Sequence, residues 1–137
     1  MVKKTERGWA GHFICSSSCR FRRNTLLELG DDRIVVSTVG GYVFNNLIEP
    51  IGANGRYYET MAFKAKKEGA YFEADVSEEL SFSSEWAICA ESPEDLPDDV
   101  DNRADKQHEM VVLEMTVLLE QYNTASGEVQ ADKPKGK

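Results

Sequence analysis

Cysteine, histidine and proline are scarce in this chain of 137 residues, which holds three Cys, two His and four Pro. Three thiols, Cys15, Cys19 and Cys89, make a poor disulfide framework, and the expectation is free, mostly buried cysteines. A chain of this length can bury a core without staples. No apolar run approaches about 18 residues, so no membrane-spanning helix is expected. Lys3 and Lys4 lie near the start, but no apolar stretch follows them as in a secretory leader. A cytoplasmic protein is the expectation. No internal repeat, P-loop, GxGxxG or GxSxG is present, so the common phosphate-binding and hydrolase signatures are missing.

What the chain does hold is acid, unevenly placed. Residues 1–67 carry eleven Lys/Arg and six Asp/Glu, a net +5. Residues 68–137 carry five Lys/Arg and eighteen Asp/Glu, a net −13. An acidic surface repels nucleic acid and attracts basic protein surfaces.

The first half reads as strands. Phe21, Arg23, Thr25, Leu27 and Leu29 share one face of an extended segment, and Arg20, Arg22, Asn24, Leu26 and Glu28 share the other. Gly30-Asp31-Asp32 turns the chain into the β-branched run Ile34–Val39, which makes a hairpin. Trp9–Ile14 offers a further strand upstream. Gly40-Gly41 breaks the run, and Pro50, Gly52 and Asn54-Gly55 mark an irregular loop. Arg56–Ala65, Ala70–Val76 and Leu80–Ile88 then alternate as a three-strand antiparallel meander.

After an acidic linker, Glu91–Asp101, a helix is predicted from about Asn102 to Tyr122, with Asp99 or Asp101 as its cap. Its apolar residues are so many that it is expected to bury most of its surface on one face of the sheet. The fold class is therefore α+β: a mostly antiparallel sheet of about five to six strands with one long C-terminal helix. The domain is expected to span 7–122, between a flexible N-terminus, 1–6, and a disordered tail, 123–137.

Several constellations bear on chemistry. His12-x2-Cys15-x3-Cys19, with Cys89 from a distant strand, is a sensible zinc donor set, though no CxxC is present. A zinc- or small-ligand-binding domain on these four residues is the alternative reading. Cys–His catalysis would need His12 or His108 beside a thiol, which nothing in the spacing provides. The carboxylates Glu94, Asp95, Asp98, Asp99, Asp101 and Asp105 fail the calcium-loop pattern and read as a solvated, helix-capping run. Arg20, Arg22 and Arg23 form the main basic patch. The low isoelectric point, about 4.8, and the lack of a docking motif argue against direct nucleic-acid binding.

Four segments carry a resemblance: Gly8–Ile14 (GWAGHFI), Arg20–Leu27 (RFRRNTLL), Arg56–Phe63 (RYYETMAF) and Ser84–Ile88 (SEWAI). They resemble short proteins of unassigned activity encoded by bacteriophages and other bacterial mobile elements. The resemblance implies an accessory protein working inside a bacterial host cell, and by analogy of origin an inhibitor of a host defence complex of the anti-CRISPR type. It supplies no site residue. The expected function is non-enzymatic protein binding without a cofactor, with dimerisation through an exposed strand edge as one option. Glu73, Asp75, Glu78, Glu79, Asp98 and Asp99 would face a Lys/Arg-lined groove that normally holds nucleic acid. Tyr57, Tyr58 and Tyr71 would be the exposed anchors beside them.

Overall fold

Alternation of apolar and polar residues builds a seven-stranded antiparallel sheet, against which one helix is laid. The computed structural model describes residues 1–8, 12 and 16–132, with side chains to 123. The strands are β1 (Lys3–Glu6), β2 (Cys19–Leu29), β3 (Asp32–Phe44), β4 (Leu47–Glu49), β5 (Arg56–Glu68), β6 (Tyr71–Leu80) and β7 (Ala87–Cys89), followed by helix α1 (Val100–Asp132). The main order is β1-β2-β3-β5-β6, with β4 on β3 and β7 on β5. The expected α+β class and the helix on one sheet face are thus observed. The strand proposed at Trp9–Ile14 and the last tail residues, 133–137, lie outside the described residues.

The N-terminal residues expected to be loose form an edge strand instead. Lys3–Glu6 pairs with Thr25–Glu28 of β2, and the Glu6 carboxylate accepts from the Thr25 hydroxyl at 2.7 Å and from Arg23 at 2.6 Å. Its lysines suit an exposed edge, where charge discourages further pairing. The helix runs past the end expected at Tyr122, because residues 123–132 contain no proline and the first later one is Pro134.

The meander also differs from expectation. Leu80–Ile88 is not one strand: β6 ends at Leu80, and β7 returns to the same edge of β5 nearer its start. Helix α1 holds the segment between them. The Glu114 carboxylate accepts from the backbone N–H of Ser83 at 2.8 Å and of Ser84 at 2.8 Å, and from both hydroxyls. Those bonds, the Ser84 hydroxyl foremost, hold its pKa down to about 2.

The inward faces follow from the period-2 pattern. Leu27, Ile34, Val36 and Ala62 from three adjacent strands meet Val111, Val112, Met115 and Leu119 of α1. A second cluster near the helix start packs Tyr57 and Tyr58 with Val100 and Ala104. Gly40 and Gly41, expected to break the strand, lie within β3. Gly41 has a positive φ of 65°, which glycine adopts without penalty.

Arg23 ties the layers together. Its guanidinium bonds Glu6 of β1 at 2.6 Å, and Asp105 and Glu109 of α1 at 2.9 and 2.5 Å. Arg23→Met would leave three carboxylates facing one another. A loss of about 2 kcal/mol in chemical denaturation is expected, shrinking in roughly 1 M salt as repulsion is screened. A loss below about 0.5 kcal/mol would class the cluster with ordinary exposed pairs.

Candidate functional site

Side chains able to do chemistry are drawn into the fold. His108 is fully buried on α1, because its helical spacing puts it on the same face as Ala104, Val111, Val112 and Met115. Its Nε2 lies 2.7 Å from the Thr25 hydroxyl and its Nδ1 lies 2.7 Å from the Thr38 hydroxyl. The direction of these bonds follows by elimination. Thr25 donates its proton to the Glu6 carboxylate, so it must accept from His108 Nε2–H. The neutral ring then accepts at Nδ1 from Thr38, and Thr38 accepts from Thr60 at 2.8 Å. Burial first, and the nearby Arg23 charge second, push the His108 pKa down to about 3. Glu6, at the other end of the chain, is raised by burial, but its bonds from Arg23 and Thr25 outweigh that and hold it below the ordinary carboxylate value.

On the opposite sheet face, His12 Nδ1 is 2.9 Å from the Ser37 hydroxyl and Nε2 is 2.5 Å from Glu59. Arg56 reaches the other Glu59 oxygen at 2.9 Å and stacks its guanidinium over Trp86, 4.8 Å from the ring centre. Serine, histidine and carboxylate in sequence are what a hydroxyl nucleophile needs. Ser37, however, is only 1% exposed and sits mid-strand in β3, where a substrate has no approach. The arrangement acts as a buried polar tie between strands.

The described members of the zinc donor set, His12, Cys19 and Cys89, are not brought together. His12 is spent on Ser37 and Glu59. Cys19 is buried in β2 and Cys89 is exposed in β7, with β3 and β5 between them, roughly 14 Å at the usual strand spacing. Cys15 lies outside the described residues. Among the described residues no group of three His, Cys, Asp or Glu is placed to hold a metal ion.

The expected basic patch is dispersed. Arg23 is held by its three carboxylates, and Arg20 lies 3.6 Å from Asp101 at the helix start, while Arg22 stays exposed. Asp99 and Asp101, expected to cap the helix, use their carboxylates on side chains. Asp99 pairs with Arg103 at 3.0 Å, and Asp101 accepts from the Tyr58 hydroxyl at 2.6 Å. Burial, then this bond to Asp101, raises the Tyr58 pKa.

Two of the three tyrosines expected as exposed anchors are core residues. Tyr57 and Tyr58 are buried, one on each face of β5, because adjacent strand residues point opposite ways and here both faces are covered. Tyr71 alone is exposed. The expected acidic surface divides in two. Glu73, Asp75, Glu78 and Glu79 lie on β6, whose end at Leu80 packs against the helix core around Val111 and Leu119. Asp98 and Asp99 precede Val100, beside Tyr58. Between positions 100 and 115 the helix spans about 22 Å. Around Asp98 and Asp99 the acid is dense: Glu91, Glu94 and Asp95 are exposed as well. Asp95 accepts from the Ser92 hydroxyl at 3.2 Å, within a short 3₁₀ turn.

A groove of about 530 Å³ runs between β7 and α1, lined by Ile88, Cys89, Pro97, Arg103, Lys106, Gln107 and Met110. No described helix is long and apolar enough to cross a membrane. Comparison with protein-family models, with curated proteins and with solved structures gives no match.

Proposed function

We propose that this chain is a non-enzymatic protein-binding domain whose acidic segment, Glu91–Asp99, docks onto a basic surface of the kind that holds nucleic acid. One observation carries the reading. Histidine and most arginine side chains are engaged inside the fold, whereas Glu91, Glu94 and Asp98 remain exposed without an ion pair among the described residues. An uncompensated charge cluster steers a complementary partner and suppresses others. The mobile-element resemblance makes a host defence effector, such as a CRISPR complex, the partner class of choice. The β6 acids lie at the far end of the helix and are not required for this contact.

The test is competition. DNA binding by a purified CRISPR effector is followed by fluorescence anisotropy, with this protein added across a salt series from about 0.05 to 0.5 M. Displacement that weakens steeply with salt is expected. The combined variant Glu91→Gln, Glu94→Gln, Asp95→Asn and Asp98→Asn should weaken it at least about tenfold at an unchanged melting temperature. Displacement indifferent to salt, or none with any such effector, removes the reading.

A further inference from the structure

Helix α1 has two apolar faces, and the sheet covers only one. Met110, Leu113 and Val117 are 55%, 57% and 45% exposed. At 3.6 residues per turn, these three fall within a sector of about 60°, opposite the buried side centred on Ala104, Val111 and Met115. The stripe begins at Lys106 and ends at Glu120 on the same side of the helix. Both are exposed, and neither has an ion pair within the chain among the described residues. The spacing 106, 110, 113, 117, 120 alternates four and three, the seam of a helix pair rather than of a helix lying alone in water.

We infer that this face binds a second copy of the chain, α1 against α1, antiparallel about a two-fold axis near Leu113. Charge decides both occupant and direction. Positions 106 and 120 are equidistant from 113, so the antiparallel pairing sets Lys106 of each copy opposite Glu120 of the other. Leu113 then meets its own counterpart, and Met110 comes within one residue of level with Val117. A parallel pairing would set lysine on lysine and glutamate on glutamate. Antiparallel helix dipoles favour the same choice. A two-fold contact of this kind is self-complementary and closes at two copies, without open-ended growth. The acidic segment Glu91–Asp99 lies at the helix start, outside the paired stretch 106–120, so pairing leaves it free for the partner proposed above.

Sedimentation equilibrium of the full chain at about 100 μM, well above a micromolar dissociation constant, should return the mass of a dimer. Leu113→Glu should return a monomer with an unchanged far-ultraviolet spectrum. Lys106→Glu should weaken the dimer at least about tenfold, and adding Glu120→Lys to it should restore the dimer, because each swapped charge again meets its opposite. A monomeric native chain overturns the inference, as does a dimer indifferent to Leu113→Glu or a double variant that fails to recover. The Glu91/Glu94/Asp95/Asp98 variant should keep the dimer mass, which separates this surface from the acidic one.

Discussion

Acidifying from pH 7 to pH 4.5 is expected to remove about 2.5 kcal/mol of stability through His108 alone. The sign follows from where the proton binds. In the unfolded chain the imidazole takes a proton near its ordinary value of 6.5, whereas in the fold it resists protonation down to about 3. The unfolded state therefore binds the extra proton as pH falls through 6.5, and stability drops until pH approaches 3. Carboxylates held low by the fold, Glu114 and Glu6, add most of their losses below their ordinary value of 4.5, so the histidine dominates the interval above it. His108→Leu provides the control. It should cost about 2 kcal/mol at pH 7, because bonds to Thr25 and Thr38 are lost and their hydroxyls stay buried. It should also flatten the profile, so that variant and native chain become equally stable near pH 4.5. Denaturant midpoints across this range measure both. A native profile flat between pH 7 and 4.5 would mean that water reaches the ring and solvates its charge.

The directional chain Thr60–Thr38–His108–Thr25–Glu6 explains why threonines stand at inward positions of three strands. Thr60 donates at the head of the thread, and Thr38 and Thr25 each accept one proton and donate another, which lets a polar thread cross an apolar layer with its partners matched. Part of this was legible in the sequence. Alternation groups Thr25 with Leu27 on one strand face, and His108 stands three and four residues before Val111 and Val112, a spacing that fits their helix face. Their meeting was not legible, since it depends on register: Thr25 lies opposite Val36, Thr38 opposite Thr60, and α1 crosses just there. Register is set by the Gly30 turn and by the length of the β3–β5 loop together, which no single segment encodes.

The same reason accounts for the tyrosines. Tyr57 and Tyr58 were both expected to be exposed anchors, although neighbours on a strand point to opposite faces. Both faces of β5 are covered at that point, and each ring is enclosed. The helix shows the converse. Its composition implied burial of most of its surface, but a single sheet face can cover only about half of a cylinder. The surplus, Met110, Leu113 and Val117, was left outside. Composition counted the apolar residues correctly and could not say how many had a partner. The basic patch failed differently. Arg20 and Arg23 were grouped by adjacency in the chain, while their carboxylates come from elsewhere, Glu6 on β1 and Asp101, Asp105 and Glu109 on α1, some eighty residues later.

Gly40→Ala is expected to destabilise the fold by about 3 kcal/mol, a large cost for one methyl group. A Cβ at this position would sit 2.2 Å from Tyr58 Cδ2 and 2.3 Å from Cγ. Gly40 and Tyr58 are register partners on β3 and β5, and the ring lies flat across the bare glycine backbone. Tyr58 cannot swing away. It is fully buried, meets the Phe21 ring edge-on at 6.1 Å and is fixed at its hydroxyl by Asp101. Gly40 has no positive φ, so the penalty is steric and not torsional. A double-mutant cycle separates this cause from a general intolerance of β3. Tyr58→Ala alone should cost about 4 kcal/mol through the cavity it leaves. Added to that background, Gly40→Ala should cost under about 1 kcal/mol, since the methyl then enters vacated space, which gives a coupling of about 2 kcal/mol. Additive costs would place the origin of the glycine in the strand's own backbone. Strong coupling would identify Gly40 as a seat shaped for an aromatic ring from the next strand, whereas Gly41 answers a different demand, a positive φ and the close approach of the Arg20 side chain.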